Sequence, residues 1–384
     1  MRGSVVKRGK TYSVVLDLGR DPQTGRRRQK WHGGFRTKAD AERAVVRYVG
    51  SVNDGLYIEK TRQSLEAFVR EWLGAIAPTV RPATHHSYER NLRLHVVPYV
   101  GLAPLAAIDA GALNGLYARL LTDGRKDYAG GGLSTRSVRY VHTILHRLFK
   151  DAVRWGRLAR NPADAADPPR GEPASQPGPA TWSPDELRAF LDGVREDRLY
   201  GAYLLLATTG MRRGEALGLR WQDLDLDNGR ASIRQTVIVV RHQVTYGTPK
   251  TAKGRRTVVL DASTIAALRE HRRRQAEERL QAGAACVDHG LIFCRVDGGP
   301  LHPERFTRRF SERLPQLGLP SIRLHDLRHG WATMALSAGV HPKIVQERLG
   351  HANIGITLDI YSHVTATLHG EAAEKVADLV FRRG

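Results

Sequence analysis

Four short stretches of this 384-residue chain carry side chains suited to work on an anionic ester. TGMRRGE sets Arg212 and Glu215 three residues apart, and LHDLRH does the same for His325 and Arg328. Residues at that spacing share a helical face. TPKTAKGRR places Lys250 in a hairpin between strand-like runs, and LGHANIGITLDIYSHV sets His351 and Tyr361 ten residues apart. Each feature alone has an ordinary structural reading: a surface ion pair, a solvated lysine, a chance pairing, a core tyrosine. Together they make a complete set for attacking a phosphodiester.

The chemistry accounts for each residue type. Two guanidiniums gripping the non-bridging oxygens offset their charge and stabilise a pentacoordinate transition state. A phenol, with a pKa of about 10, is a reluctant nucleophile but forms a phosphotyrosine that a deoxyribose hydroxyl can reverse. The departing 5′-oxygen needs a proton, which a lysine near the leaving side can give. Histidines can hydrogen-bond the phosphate or shuttle the tyrosine proton. The arginines take the electrostatic role that metal ions play elsewhere, so neither metal nor cofactor is expected.

Three segments must position this set. TYSVVLDLG, the turn DPQTG and RRRQKWHGGF read as strands, and KADAERAVVRYVGSV places Ala41, Ala44, Val45 and Val49 at helical spacing. A three-stranded sheet with one helix is expected. Arg26, Arg27, Arg28 and Lys30, beside Trp31, make a basic strand suited to phosphate and base contact, or else a solvated edge guarded by charge. Residues 61–165 read as helices: SLEAFVREWLGAI puts Leu65, Phe68, Trp72 and Leu73 on one face. STRSVRYVHTILHRLFKDAVRWG sets Arg136, Arg139, Arg147, Lys150 and Arg154 opposite an apolar stripe. ADAADPPRGEPASQPGPA, rich in proline and without periodicity, marks a linker. Beyond it, Ser183-Pro184-Asp185-Glu186 starts a helix, YGAYLLLATTG is a buried helix ending at Gly210, and MRRGEALGLRW restarts helically. RASIRQTVIVV, RHQVTYG and RRTVVL are strand-like, and from Ser263 onward helix returns. TLHGEAAEKVADLVF carries a stripe of Leu368, Ala372, Val376 and Leu379, either folded back or docking on a neighbouring subunit.

Composition narrows the partners. Sixty Lys plus Arg against 39 Asp plus Glu give a net charge of +21. The excess runs through all three segments and is densest in residues 1–60, with 14 basic and 6 acidic side chains. A protein lying along a polyphosphate has this distribution. No run is apolar enough to span a membrane, the N-terminus lacks a signal-peptide core, and Cys286 and Cys294 form neither a zinc set nor a disulfide framework. A cytoplasmic location is expected.

ATTGMRRGEALGLRW, the lysine of TPKTAKGRRTVVL, LHDLRHGWAT, LGH and IYSHV resemble, in order, the motif boxes of the tyrosine recombinases, the phage-integrase family. The resemblance covers about residues 183–365. It implies that Arg212 and Arg328 bind the phosphate, Lys250 is the hairpin lysine and His325 the first histidine of its box. His351 takes the His/Trp position, Tyr361 is the nucleophile, and Glu215 is the acid that orients arginine and histidine. ATHHSYERNLRLHVVPYVGLAPLAAI is similar to the family's helical, SAM-like core-binding domain, and the first 55 residues to its arm-binding domain. The fold expected is therefore multidomain: a small sheet-plus-helix domain (1–60), an all-α domain (61–165), a linker (166–180) and a mainly α, α+β catalytic domain (181–384). The implied activity is site-specific integration through a 3′-phosphotyrosine. Implied partners are double-stranded DNA attachment sites, a homotetramer on DNA, an excisionase and a host DNA-bending protein, with no membrane. Two alternatives stand beside it: a type IB topoisomerase-like relaxing enzyme and a non-catalytic DNA-binding regulator.

If Lys250 protonates the departing oxygen, Lys250→Ala slows phosphotyrosine formation severely on an ordinary substrate. With sulfur at the bridging 5′ position the leaving group's pKa falls to about 8.5, against about 16 for a water-like hydroxyl. Matched oxygen and sulfur substrates then show rescue of Lys250→Ala but not of Arg212→Ala. Equal slowness of Lys250→Ala on both substrates assigns the acid elsewhere, to His325 or Lys253.

Overall fold

The structure, a computed structural model, describes residues 3–20, 25–53, 62–127, 130–171, 181–249, 254–351, 353–355, 357–358, 377 and 381. It divides into two compact units, Met1–Pro173 and Ala174–Gly384. Lys250, Tyr361 and the C-terminal stripe at Leu368, Ala372, Val376 and Leu379 lie outside the described residues.

The first unit opens with an antiparallel sheet of β1 (Gly3–Arg8), β2 (Thr11–Arg20) and β3 (Arg27–Phe35) in that order, covered by α1 (Lys38–Asn53). Val14 and Leu16 alternate onto one face of β2 and meet Ala41 and Ala44 of α1, which is the arrangement the sequence period implies. β3 is an edge strand. Trp31 stays 46% exposed on it, with the Arg8 guanidinium 5.4 Å from its ring centroid.

The helical part comprises α2 (Leu65–Ile76), α3 (Pro82–His95), α4 (Val97–Val100), α5 (Ala110–Asp123) and α6 (Thr135–Arg154). Ser64, Asp109 and Ser134 cap α2, α5 and α6 by accepting from backbone N–H groups. Phe68, Trp72, Leu92, Leu116, Tyr117, Leu145 and Phe149 fill one core. Each such buried side chain contributes about 1.5–3 kcal/mol. Leu73, expected among the inward residues of α2, is only partly buried; Val69 and Ile76 complete that face instead. The stretch read as linker starts as part of this core. Ala163 and Ala166 are buried, Asn114 exchanges hydrogen bonds with Asp167, and Arg139 donates to the Pro169 carbonyl.

The second unit begins with α7 (Pro184–Gly193), whose Ser183 and Glu186 form the expected capping box. Next come α8 (Tyr200–Thr209) and the short α9 (Arg213–Leu217). β4 (Leu224–Asp225), β5 (Arg230–Ile233), β6 (Thr236–Val240), β7 (Gln243–Gly247) and β8 (Arg256–Val259) follow. They form two sheets, β4-β5-β8 and the hairpin β6-β7. Among the described residues β8 pairs with β5 and β7 with β6, so the strands on either side of Lys250 belong to different sheets. RASIRQTVIVV likewise divides into β5 and β6. The chain then runs through α10 (Ala262–Ala282), α11 (Pro303–Gln316), α12 (Asp326–Ser337) and α13 (Pro342–Leu349). α8 is buried almost all round, as its uniformly apolar sequence requires. Its Tyr203 stacks on Phe306 and meets Phe190 edge to face, Phe190 meets Phe310 the same way, and Trp182 packs tilted against Phe190 and Phe310.

In the helical core the indole Nε1 of Trp72 donates to Asp151 Oδ2 at 2.8 Å, both residues being buried. Asp151→Ala leaves that N–H without an acceptor and should cost about 1–3 kcal/mol in denaturant unfolding. Arg154→Ala, which removes only an exposed partner of the same carboxylate, should cost less than about 1 kcal/mol. Equal costs would mean that the indole bond carries no special weight.

Candidate active site

Gly210 ends α8 in the left-handed region (φ 63°), and its N–H bonds back to Leu206 O. A Cβ there would lie 2.5 Å from a Leu349 methyl and 3.3 Å from the Trp331 ring, so glycine is required by conformation and by space. The turn delivers Arg212 to the N-cap of α9 in extended conformation. The expectation of one helical face for Arg212 and Glu215 is thus refined: Arg212 precedes the helix, and Glu215 reaches back to it as in a capping box. Glu215 Oε2 accepts from the Arg212 backbone N–H at 3.1 Å, and Oε1 from Arg212 Nη1 at 2.8 Å. His325 similarly occupies the N-cap of α12, with Arg328 in its first turn.

Glu215 is 3% exposed and has a second cation, Arg256, which donates Nη2 to Oε2 at 3.0 Å and Nη1 to Oε1 at 3.3 Å. Burial alone would raise the carboxyl's pKa. The hydrogen bonds and charge of Arg256, then the charge and hydrogen bond of Arg212, outweigh it and hold Glu215 below its ordinary value.

The carboxyl end of α13 gathers the cations. Its last carbonyls have no partner within the helix and carry the negative end of the helix dipole. Three consecutive ones accept from three guanidiniums: Arg348 O from Arg256 Nε at 2.6 Å, Leu349 O from Arg328 Nη2 at 2.6 Å, and Gly350 O from Arg212 Nη2 at 3.3 Å. Arg328 Nη1 also donates to Gly210 O at 2.7 Å. Arg328 is buried; burial first, then the Arg212 charge, pulls its pKa down to about 9, where it remains charged at pH 7.

His351 follows directly, buried, with Nδ1 2.9 Å from Thr357 Oγ1. That contact occupies one ring nitrogen and leaves Nε2 as the other hydrogen-bonding atom. Burial, then the Arg328 and Arg212 charges, depresses the His351 pKa to about 4. Desolvation, then His329 and Arg328, likewise lowers that of His325, whose ring stands edge to face with His329 at 5.1 Å. His351 is therefore neutral at pH 7 in the free protein. Three guanidiniums against one carboxylate leave the cluster two positive charges in excess, the complement of a phosphodiester gaining charge in its transition state.

The structure thus brings Arg212, Glu215, His325, Arg328 and His351 together. Arg256 was missed. It sits opposite Ile233 in β8, two residues before buried Val258, and so occupies the inward face of its strand. An arginine at an inward position of a strand pattern was the signal. Thr357 had no comparable mark. In the first unit, Arg26 is exposed just before β3, and Arg27 is ion-paired to Asp17 at 2.6 Å, which makes it a strand-pinning residue as well as a basic one. The Arg28 backbone lies in β3, and Lys30 is half-buried. Arg136 and Arg139 are exposed on α6, while Arg147 is held by Tyr88.

Gly210→Ala tests the turn. The added methyl meets Leu349 and the left-handed backbone strains any L residue, so unfolding should cost about 1–3 kcal/mol. Because Gly210 O holds Arg328, cleavage of a phosphodiester substrate should fall more than this stability loss explains. An alanine variant as stable and as active as the parent would show that the turn does not set the site.

Comparisons with known proteins place the chain. The phage integrase family matches residues 182–367, an arm DNA-binding domain matches 4–47, and the N-terminal SAM-like domain of phage integrases matches 64–120. A XerC-like tyrosine recombinase of Caldanaerobacter subterraneus subsp. tengcongensis is 30% identical over 97% of this chain and 98% of its own. The ICEBs1 integrase of Bacillus subtilis is 26% identical over 96% and 97%. Among solved structures, the Tn1549 transposon integrase in complex with transposon right end DNA shares the fold, with a TM-score of 0.67 and 20% identity over 82% of this chain and 99% of that one. The chain belongs to the phage integrase family of tyrosine recombinases, enzymes of DNA cleavage and rejoining.

Proposed function

We propose that this chain is the integrase of a mobile element, acting at DNA attachment sites through Tyr361. The observation that carries this reading is the cluster of Arg212, Arg328 and His351 at the carboxyl end of α13, with His351 ten residues before that tyrosine. Tyr361 Oη attacks the scissile phosphorus, and the P–O5′ bond breaks. Lys250 gives the departing 5′-oxygen its proton, while the phenolic proton leaves through a neutral histidine. Arg212 and Arg328 hold the non-bridging oxygens, each with donors to spare: a guanidinium has five N–H groups, and the bonds described use two of each. The 5′-hydroxyl of a partner duplex then attacks the 3′-phosphotyrosine, the reverse chemistry, and strands exchange one at a time through a four-way junction. Neither metal nor cofactor takes part.

Residues 1–60 serve as an arm-site binder, 61–165 as the core-site binder and 181–384 as the catalytic domain, joined through 166–180. Exposed Arg26 just before β3, Trp31, Arg28 and Lys30 within β3, and exposed Arg136 and Arg139 on α6 support DNA contact by these segments. Four copies assemble on two attachment sites, with an excisionase and a host DNA-bending protein as auxiliary partners. The proposed action is on DNA in the cytoplasm; separately, among the described residues no helix is long and apolar enough to cross a membrane.

A core-site duplex nicked next to the scissile phosphate traps the covalent intermediate. The parent protein should form a denaturant-resistant protein–DNA adduct. Tyr361→Phe should form none while binding the site within a few-fold, since affinity rests on many phosphate contacts. An adduct in Tyr361→Phe would place the nucleophile elsewhere. No adduct with the parent would support a DNA-binding regulator, and relaxation without strand exchange would support a topoisomerase.

A further inference from the structure

We infer that Arg256 is a positioning residue of the reaction: by saturating Glu215 and holding the end of α13, it keeps Arg212 free to grip the phosphate. The inference rests on the integrase reading above and concerns a residue outside the six assigned to catalysis.

A carboxylate offers about four lone-pair sites. In Glu215 all four are taken: Oε1 by Arg212 Nη1 and Arg256 Nη1, Oε2 by the Arg212 backbone N–H and Arg256 Nη2. Arg256 therefore engages both oxygens, and the Arg212 side chain is left with one bond to one oxygen. A guanidinium beside an unsaturated carboxylate closes a two-bond fork on it, the stronger geometry. Without Arg256, the side chain of Arg212 would fold onto Glu215 in that way and withdraw donors from the substrate. The Arg212 side chain is 42% exposed, so it has room to move, whereas that of Arg256 is 8% exposed and fixed on the core face of β8. Arg256 also anchors Arg348 O through Nε at 2.6 Å, two residues before the carbonyl that Arg212 itself touches and three before His351. One buried side chain thus ties the α9 start, the β8 strand and the His351 turn into a single frame. Arg256 touches no reacting atom in this account.

The test measures the rate of covalent adduct formation on the nicked core site, at saturating and at sub-saturating DNA. For Arg256→Gln the maximal rate should fall roughly 10- to 100-fold while half-saturation moves less than about 3-fold, with a parallel unfolding measurement to separate loss of folded protein. Arg256→Lys, which keeps the charge but can reach only part of the carboxylate and carbonyl set, should recover part of the rate. The diagnostic variant is Arg256→Gln combined with Glu215→Gln. Neutralising the carboxylate removes the trap for Arg212, so the double variant should be no slower than Arg256→Gln alone. A maximal rate unchanged in folded Arg256→Gln overturns the inference, as does a defect confined to half-saturation. So does a double variant slowed by the product of the two single effects. If the parent protein itself forms no adduct, the integrase reading fails first and this inference falls with it.

Discussion

The buried carboxylate of Glu215 is the interaction on which the rest of the catalytic unit depends. A lone ionised carboxylate at 3% exposure would be costly, and guanidiniums packed together would repel one another. Here each problem cancels the other. Glu215 draws in Arg212 and Arg256, and the carbonyl-bearing end of α13 draws in those two and Arg328. Three guanidiniums come from three different chain segments and share the acceptors of Glu215, Gly210 and the end of α13. Among the described residues the cluster sets one carboxylate against three guanidiniums and so keeps an excess of positive charge. Such a preformed, partly desolvated cationic site stabilises developing negative charge without reorganisation at the moment of reaction.

The histidines fit the same electrostatics. Burial and the arginine charges depress the His351 pKa to about 4, so the free site holds a neutral imidazole fixed on one side by Thr357. An incoming phosphodiester brings negative charge against these cations and favours protonation of the same rings. Acid–base behaviour and phosphate binding are thereby coupled. The fold also explains why the site is assembled from loops at helix ends: N-caps place Arg212 and His325, and left-handed glycines at 210 and 350 turn the chain sharply enough to bring α8, α9 and α13 together.

Much of this could be read from the sequence because it is local. Ser183 and Glu186 mark a cap by their spacing, Gly210 ends an apolar run, and Val14 and Leu16 alternate with a period of two. The residue types of the site were legible from chemistry and from the motif boxes. What stayed hidden was non-local. Nothing near Lys250 tells that β8 pairs with β5 and leaves β7 to β6, since strand partners are chosen by packing across the sheet. Arg256 was passed over because an arginine pair beside a turn reads as solvated. The alternation with buried Val258 hints at an inward position, and the register opposite Ile233 shows that it faces Glu215. The packing of Ala163 and Ala166 was hidden for the same reason, as a proline-rich run reads as linker until its partners are known.

The central claim is that the Glu215 and α13 acceptors hold Arg212 and Arg328 ready for one phosphate. The most direct measurement is a crystal structure of the protein on a core-site duplex, with vanadate joining the Tyr361 oxygen and the cleaved DNA ends. The account predicts that Arg212 and Arg328 both lie within hydrogen-bonding distance of the equatorial vanadate oxygens, with the Arg212–Glu215 and Arg328–Gly210 bonds intact. A vanadate centre held by other residues, or arginines that reach it only by leaving Glu215 and Gly210, would contradict the claim.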